Sequence, residues 1–120
     1  MLLIDTYLDK SSIQGIGVFS KENIKKGRKI KERRPEFEIK FNRKNLPQMP
    51  LAFANFIHTH SWEDEEDMYV LGIDNEKYMN HSTDPSVNDA GYALKNINIG
   101  DEITIDYRDF DDNFEDLLKI

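Results

Sequence analysis

The chain is predicted to form a single α+β domain made mostly of short β-strands. Its 120 residues suffice for one modest core and are too few for two independent ones. Short runs of β-forming residues recur along the chain and are separated by Gly, Asn, Asp and Pro. Apolar residues at helical spacing occur in only two places, one in the middle of the chain and one at its end.

Six runs predict strands in chain order: LLIDTYL, GVFS, RKIKE, FEIKF, MYVLGI and EITIDY. The last run alternates cleanly between two sets of residues. We therefore expect Ile103, Ile105 and Tyr107 to share one face of the strand, with Thr104 and Asp106 on the other. Taken alone, Tyr107 is best explained as a core aromatic whose hydroxyl reaches the surface.

Two segments predict helices. In LAFANFIHTH, which follows Pro50, the residues at helical spacing are Phe53, Phe56, Ile57 and His60. Proline is well tolerated in a first helical turn, so this middle helix should begin near Pro50. The tail FDDNFEDLLKI has the same spacing at Phe110, Phe114, Leu117 and Leu118, and follows aspartates able to cap a helix.

Composition excludes several classes of site. The chain has no cysteine, so disulfides, thiolate zinc sites and cysteine nucleophiles are excluded. The N-terminal residues lack a basic leader, and no apolar run approaches the length of a membrane span. We expect a cytoplasmic protein, in which the sequon Asn80-His81-Ser82 would not be glycosylated.

The net charge of −7 is unevenly distributed. Residues 1–60 carry a charge of +6, whereas residues 61–120 carry −13. The acidic half disfavours nucleic acid as a partner. It suits a basic partner such as a lysine-rich peptide, although a solvated acidic surface that maintains solubility explains it equally well.

Two local patterns are weak signals when considered separately. Gly15-Ile16-Gly17 lacks the third glycine of a dinucleotide fingerprint and precedes a strand, so it is either a turn or a place where backbone approaches a ligand. His58 and His60 are followed by an acidic run, but residues two apart on a helix do not face the same side. We predict a solvated helix end there and no metal site.

The loop NHSTDPS begins at Asn80 and contains His81, Ser82 and Asp84. Neighbours in sequence do not make a Ser-His-Asp triad, which assembles from distant segments, and no Gly-x-Ser-x-Gly elbow is present. A hydrolase is therefore disfavoured. What remains is a tight polar loop with Asp-Pro turn chemistry, and loops of this type either bind ligands or merely turn.

Three segments taken in order resemble one family. GIGVFSKENIKKG, YMNHSTDPS and ALKNINIGDEITIDY are similar, with suitable spacing, to the motifs of SET-domain protein lysine methyltransferases. The resemblance runs from about Ile4 through the last motif and is strongest to small stand-alone SET proteins of bacterial or viral type. It implies a SET (β-clip) fold in which a knot-like C-terminal segment passes beneath the Asn-His-Ser loop.

The resemblance also implies S-adenosylmethionine as cofactor. Asn80 would bond the methionine amine through its side chain, and the backbone of His81 would meet the adenine. Ile16 and Gly17 would offer backbone groups beside the cofactor. Lys77 stands where relatives usually carry an arginine that touches the cofactor carboxylate, and lysine keeps the charge without the bidentate fork.

Tyr107 is implied as the catalytic residue. Tyr69, Tyr78, Tyr92 and Ile105 are candidates to line the substrate lysine channel. The cysteine-rich zinc segment that closes many relatives is absent, so the tail, with Phe110 against the cofactor, is expected to act as a lid. The plain alternative is a hydrophobic helix that docks on the core. The expected organisation is a SET domain over residues 1–109 and a lid packed on it over residues 110–120.

The resemblance implies a protein lysine N-methyltransferase that acts on a lysine of a basic protein or peptide. One alternative is a catalytically inactive SET-fold adaptor that binds a peptide or the cofactor. A third option is methylation of a small-molecule amine, against which the acidic half of the chain favours a basic polypeptide. The presence of both Asn80 and Tyr107 favours the enzyme, because an adaptor needs neither. We expect no nucleic acid or membrane partner, and a monomer or homodimer.

Overall fold

The computed structural model describes residues 1–109, which form two small β-sheets and one α-helix. The strands and the helix are β1 Thr6–Lys10, β2 Ile16–Ser20, β3 Glu38–Asn42, α1 Leu51–His60, β4 Trp62–Glu63, β5 Met68–Gly72, β6 Asn80–His81 and β7 Glu102–Ile105. The first sheet has the order β1-β2-β7-β6 and the second the order β3-β5-β4, and α1 connects β3 to β4 within the second sheet. Short 3₁₀ turns cover Pro35–Phe37, Arg43–Gln48, Asn75–Tyr78 and Tyr107–Asp109.

The α+β class and the middle helix predicted from sequence are confirmed. Helix α1 begins directly after Pro50 and buries Ile57 completely, while Phe53, one turn earlier on the same face, is 42% exposed. The predicted C-terminal helix lies outside the described residues. None of the helices within residues 1–109 combines the length and the apolar character needed to span a lipid bilayer.

One predicted strand is absent. The run RKIKE makes only isolated single-residue bridges, from Lys29 to Tyr92 and from Lys31 to Leu2. Its two sides meet different partners, so no continuous ladder forms, although Ile30 in its centre is fully buried. Conversely, β4 and β6 have two residues each, too few to produce a periodic signal in sequence.

The main core lies beneath the first sheet. It consists of Ile4, Val18, Ile24, Ile30, Met79, Val87, Ala93, Ile97 and Ile103. A smaller cluster, formed by Ile57, Tyr69 and Leu71, joins α1 to the second sheet. Because Met79 belongs to the first cluster and directly precedes β6, burial of this side chain fixes the start of the Asn-His-Ser loop.

Strand β7 lies between β2 and β6 and is the element that positions the site. It pairs antiparallel with β2 and parallel with β6, where Asn80 is opposite Thr104 and His81 opposite Ile105. The loop after β6 is held to the same strand, since the Ser82 N–H donates to the Ile105 carbonyl at 2.9 Å. The C-terminal segment therefore lies against the Asn-His-Ser loop, as the SET resemblance predicts.

Candidate functional site

The Gly15–Gly17 segment and Asn80 form a single hydrogen-bonded unit. The Asn80 Nδ2 group lies 3.1 Å from the Gln14 carbonyl, 3.2 Å from the Ile16 carbonyl and 2.9 Å from Glu102 Oε2. All three partners can only accept hydrogen bonds, so they fix which side of the amide faces them. Within residues 1–109, no hydrogen bond ends on Asn80 Oδ1, which leaves an acceptor for a ligand.

His81 is tied to the segment that follows β7. The backbone N–H of Tyr107 donates to His81 Nδ1 at 3.0 Å, and the two rings lie 5.2 Å apart. A backbone N–H can only donate, so His81 Nδ1 carries a lone pair and any single ring proton is on Nε2. The imidazole thereby orients Tyr107 rather than acting as a nucleophile's base.

The hydroxyl of Tyr107 has a fixed partner and is neutral. It donates to the Met79 carbonyl at 2.8 Å. Burial and, to a smaller extent, the nearby Glu102 carboxylate raise the pKa of Tyr107 to about 12. At neutral pH this group is therefore a hydrogen-bond donor and not a base.

The neighbouring Asp106 is an anion. Hydrogen bonds from the Arg108 guanidinium hold the pKa of this carboxyl at about 2, with Nε at 2.8 Å and the Arg108 backbone N–H at 3.0 Å from Oδ1. Asp106 Oδ1 also lies 3.8 Å from His81 Nδ1. This cluster locks the turn that carries Tyr107.

A cavity of about 360 Å³ opens beside Tyr107, between the first sheet and the second. One side of the cavity is lined by Ile105, Tyr107, Met79 and Lys77. The other sides come from the N-terminus, the segment after Ile30, the end of α1 and the start of β4, and include Lys31, Glu32, Arg33, Phe37, Glu38, His60, Trp62, Asp74, Glu76 and Asp89. The lining of this cavity does not include Asn80, Ile16 or Gly17. The surface around Asn80 and the cavity beside Tyr107 are therefore two separate surfaces, with the Asn-His-Ser loop between them.

Lys77 is held by its own turn. Its Nζ donates to the Asp74 carbonyl at 3.1 Å and lies 5.0 Å from the centroid of the Tyr78 ring. The side chain lines the cavity. The structure thus places Lys77 at the cavity, whose lining does not include Asn80.

The four candidate channel residues are not brought together. Ile105 lines the cavity with Tyr107, and Tyr78 packs on the main core with its ring 5.1 Å from that of His60. Tyr69 is buried in the smaller cluster and faces a second cavity near Leu46 and Met49.

Tyr92 is 43% exposed and pairs with Lys29, away from the cavity lining. Phe110, predicted to contact the cofactor, lies outside the described residues.

Three residues at the site escaped sequence analysis. Glu102 touches Asn80, Met79 accepts the Tyr107 hydroxyl, and His60 lines the cavity. A solvated helix end was predicted around His60, whereas the ring is half-buried, burial lowers its pKa, and its Nδ1 lies 3.2 Å from the Lys77 carbonyl. For Glu102, the one signal in the sequence was a glutamate at the start of an apolar strand.

Within the described part of the chain, no group of three His, Asp or Glu side chains is arranged to hold a metal ion.

Comparison with known proteins identifies the family. The model of the SET domain family matches residues 15–108. A Plasmodium falciparum protein provisionally described as a histone methyltransferase is similar in structure, with a TM-score of 0.61 and 26% identity, over 88% of this chain and 95% of that one. Among curated proteins, none matches the sequence significantly.

Two structures of Polycomb Repressive Complex 2 show the same fold. A humanized mutant of the Chaetomium thermophilum complex, bound to an inhibitor, gives a TM-score of 0.59 at 19% identity over 89% of this chain. An apo form described as ctPRC2 gives 0.61 at 18% identity over 94%. This chain spans only 15% and 16% of those chains.

Proposed function

Because the chain belongs to the SET-domain family, we propose that it is an S-adenosylmethionine-dependent protein lysine N-methyltransferase. The observation that carries this proposal is the pairing of β6 with β7, which holds Asn80 opposite Thr104 and brings Tyr107 against Met79. A ligand-binding amide and a buried tyrosine hydroxyl are thus fixed within one short stretch of backbone.

The residues around Asn80 fit the methionine amine of the cofactor. An ammonium group only donates hydrogen bonds, and Asn80 Oδ1 is an acceptor not used by residues 1–109. The Ile16 carbonyl accepts a hydrogen bond from the amide of Asn80. The next residue, Gly17, adds no side chain beside this backbone. Asn80 and the Gly15–Gly17 backbone would therefore hold the amine, with the His81 backbone toward the adenine.

The bound cofactor supplies an electrophilic methyl group on a sulfonium. This chain supplies the position and the environment for the acceptor amine. The neutral Tyr107 hydroxyl donates to the Met79 carbonyl at 2.8 Å, so the lone pairs of its oxygen remain available as acceptors. This oxygen and nearby carbonyls would orient the reacting groups at the junction of the two surfaces.

The acceptor must be a neutral lysine amine. A free lysine has a pKa of ~10.4 and is mostly protonated at neutral pH. Entry into the cavity removes water from the ammonium, which lowers the pKa of the substrate lysine. Alignment then lowers the barrier by on the order of 7 kcal/mol or more in well-oriented model reactions, without a dedicated base.

A basic polypeptide is the proposed substrate. Residues 61–120 carry a charge of −13, and the cavity wall includes the carboxylate of Asp89, while the Glu32 and Glu38 carboxylates there pair with Arg34 and Arg33. Opposite charges of this kind attract a lysine-rich segment. The Plasmodium protein is described as acting on histones, so histone peptides belong among the first substrates tested.

We also propose the division of the chain into a SET domain over residues 1–109 and a lid over residues 110–120. Asp109, the last described residue, lines the cavity beside Tyr107. A lid at that point would exclude water from the reacting groups. Phe110 is the first residue of the proposed lid.

Two measurements test the proposed function. Calorimetry of the purified chain should show saturable binding of S-adenosylmethionine, and Asn80→Ala should weaken it at least tenfold, because a charged amine loses its acceptor, at roughly 1.5–3 kcal/mol. Incubation with methyl-labelled cofactor and a panel of lysine-rich peptides should yield methyllysine by mass spectrometry.

The matched control is Asn55→Ala on the exposed surface of α1, which should bind the cofactor like the wild type. Absence of cofactor binding by the folded wild-type chain would contradict the proposal. Cofactor binding without methylation of any peptide or lysate protein would instead support the adaptor alternative.

A further inference from the structure

The Glu102 carboxylate lies at the centre of the unit formed by Asn80 and the Gly15–Gly17 segment. Glu102 begins β7, and its Oε2 accepts from Asn80 Nδ2 at 2.9 Å. Ser11 Oγ donates to the same carboxylate, at 2.8 Å from Oε1 and 2.9 Å from Oε2. One side chain therefore connects the end of β1, the start of β7 and β6.

Ser11 holds this carboxylate from a fixed position. The Ser11 residue is buried, and its Oγ accepts the backbone N–H of Ile13 at 2.9 Å while it donates to Glu102. The orientation of the hydroxyl is thus set by its own loop. The Glu102 carboxylate is correspondingly restricted before any ligand binds.

Gly17 provides the space that Glu102 occupies. A Cβ atom at position 17 would lie 2.4 Å from Glu102 Oε2 and 2.8 Å from its Cδ. The carboxylate therefore packs directly on the glycine backbone. This gives a physical reason for glycine at position 17 that is separate from contact with the cofactor.

The contact to Asn80 helps to decide the orientation of its amide, together with the Gln14 and Ile16 carbonyls. An asparagine side chain can present either its oxygen or its nitrogen to a ligand, and the two orientations have nearly the same shape. Like the two carbonyls, the Glu102 carboxylate only accepts hydrogen bonds, so it favours the orientation that turns Nδ2 toward it and Oδ1 away. At 2.9 Å its charge-assisted bond is shorter than the bonds of Asn80 to the Gln14 and Ile16 carbonyls.

We propose that Glu102 is a positioning residue for cofactor binding, which acts by holding Asn80 with Oδ1 toward the methionine amine. The inference rests on the proposed function, because it assigns the amine of S-adenosylmethionine to Asn80. Glu102 acts through Asn80, so the loss of Glu102 should matter only while Asn80 is present.

The experiment is a double-mutant cycle on cofactor affinity, measured by calorimetry on the full chain. Glu102→Ala should raise the Kd for S-adenosylmethionine by roughly tenfold, the order expected for one charge-assisted hydrogen bond. In the Asn80→Ala background the same substitution should change the Kd less than twofold. Equal effects in both backgrounds would overturn the proposal, because independent residues contribute additively.

Two further variants separate the reach of the side chain from its charge, and they serve if Glu102→Ala fails to fold. Glu102→Gln keeps an acceptor within reach of Asn80 and should retain affinity within about threefold. Glu102→Asp keeps the charge but withdraws it by one methylene, and should weaken binding as much as Ala. The reverse order would show that charge alone matters and would overturn the positioning role.

A truncated ligand provides an independent readout. 5′-Methylthioadenosine lacks the methionine amine and carboxylate, so its Kd should be unchanged by Glu102→Ala. An equal loss of affinity for this compound would mean that Glu102 supports the whole site and would overturn the proposal.

The matched control is Glu22→Ala, since Glu22 is also half-buried and accepts the Asp5 backbone N–H at 2.8 Å. Its cofactor affinity should equal that of the wild type. If the wild type binds no S-adenosylmethionine, the proposed function fails and the inference fails with it. If the wild type binds and only the cycle is additive, the inference alone is wrong.

Discussion

The Tyr107 hydroxyl is the group whose loss should separate turnover from binding. Tyr107→Phe removes the donor to the Met79 carbonyl and leaves the ring in place against His81. We expect turnover to fall by a factor on the order of a hundred or more, because reaction geometry is lost. The Kd for S-adenosylmethionine should change by less than about threefold, since Tyr107 does not touch Asn80.

Tyr7→Phe is the control for this substitution, because Tyr7 stacks on Phe19 at 5.5 Å in the first sheet and does not line the cavity. Its turnover should match the wild type. Wild-type turnover in Tyr107→Phe would mean that Tyr107 is only a core aromatic. Because the pKa of Tyr107 is about 12, loss of the proton from the substrate lysine, and not from Tyr107, should set the pH at which the rate rises. The midpoint of that rise should therefore be the same in Tyr107→Phe.

Gly17 and Gly91 should respond differently to alanine. In Gly17→Ala the new Cβ meets the far end of the flexible Glu102 side chain, which can swing away. We expect the free energy of unfolding to fall by less than about 1.5 kcal/mol. Cofactor affinity should fall by roughly tenfold, because the bond from Asn80 to Glu102 is lost. Chemical denaturation and calorimetry measure the two effects.

Gly91→Ala is the contrasting variant. Gly91 has a φ of +96°, and a Cβ there would lie 1.8 Å from the Lys31 carbonyl oxygen, which is backbone and cannot swing aside. We expect a loss of roughly 3 kcal/mol or more in unfolding free energy, or no folded protein. Equal stabilities for the two alanine variants would contradict this distinction.

Asp106 gives the fold a defined sensitivity to acid. Arg108 holds the pKa of Asp106 at about 2, below its usual value of 3.8, so the folded state binds this proton more weakly than the unfolded state does. The resulting stability is complete above about pH 4 and is lost as the pH falls toward 2. Asp106→Asn should therefore show a shallower loss of stability between these pH values in urea denaturation.

Asp84→Asn is the control for the acid sensitivity, because the Asp84 side chain is 92% exposed and pairs with Lys95 on the surface. Exposed pairs contribute little to stability. Its pH dependence should follow the wild type. An unchanged slope in Asp106→Asn would show that other carboxylates govern acid unfolding.

At the scale of elements, β7 and its neighbour β2 were predictable, and its other neighbour, β6, was not. EITIDY alternates over enough residues to give a clear period, and β7 covers the first four of them, Glu102–Ile105. The expected strand is two residues too long, because Tyr107 begins a 3₁₀ turn. Strand β6 has two residues and exists only because β7 lies beside it. The contact between Asn80 and Glu102 spans 22 residues of sequence, and no local pattern encodes a pairing at that distance.

The resemblance predicted which residues belong to the motifs, but it did not predict where every candidate side chain lies in the fold. The resemblance to the SET family supplied the proposed role of Asn80, which no spacing rule could supply. It did not show that Tyr69 is buried behind α1, because that depends on how the second sheet packs. Sequence therefore predicts the motif residues better than it predicts the wall of the cavity.

Ile105 is the last residue of β7, and its side chain is expected to influence how many methyl groups are transferred. It lines the cavity with Tyr107 and presents no hydroxyl that could hold a water. In SET relatives a tyrosine two positions before the catalytic tyrosine tends to restrict methylation. We therefore expect di- or trimethyllysine as the final product of the wild type and a shift to monomethyllysine in Ile105→Tyr, measured by mass spectrometry at long reaction times.

Ile99→Tyr is the control for the product distribution, because Ile99 is 61% exposed and does not line the cavity. It should leave the product unchanged. A monomethyl plateau in the wild type that Ile105→Ala does not alter would contradict the role of Ile105. Another side chain at the cavity would then limit the product.

At the scale of the whole molecule, the candidate site joins segments that are far apart in sequence. Three segments meet around β7: residues 14–17, 77–81 and 102–107. Strand β7 itself crosses the main core. A ligand bound there contacts parts of the chain that separate on unfolding. Cofactor binding should therefore stabilise the folded state as a unit and not merely one loop.

The size of this effect can be predicted. A ligand at about 100 times its Kd that binds only the folded state adds roughly 2.7 kcal/mol to the free energy of unfolding. For a chain of this size the Tm should rise by roughly 10 °C, because 1 kcal/mol corresponds to several degrees. Differential scanning calorimetry with and without S-adenosylmethionine measures the rise directly.

Asn80→Ala at the same cofactor concentration should lose most of the increase in Tm, since its Kd is higher, whereas Asn55→Ala should keep it. The dependence of Tm on the logarithm of cofactor concentration should give the same Kd as calorimetry. An equal increase in Asn80→Ala would place the cofactor elsewhere on the molecule. Saturable binding without any increase would mean that the unfolded chain binds it equally well, which would contradict a site assembled across the core.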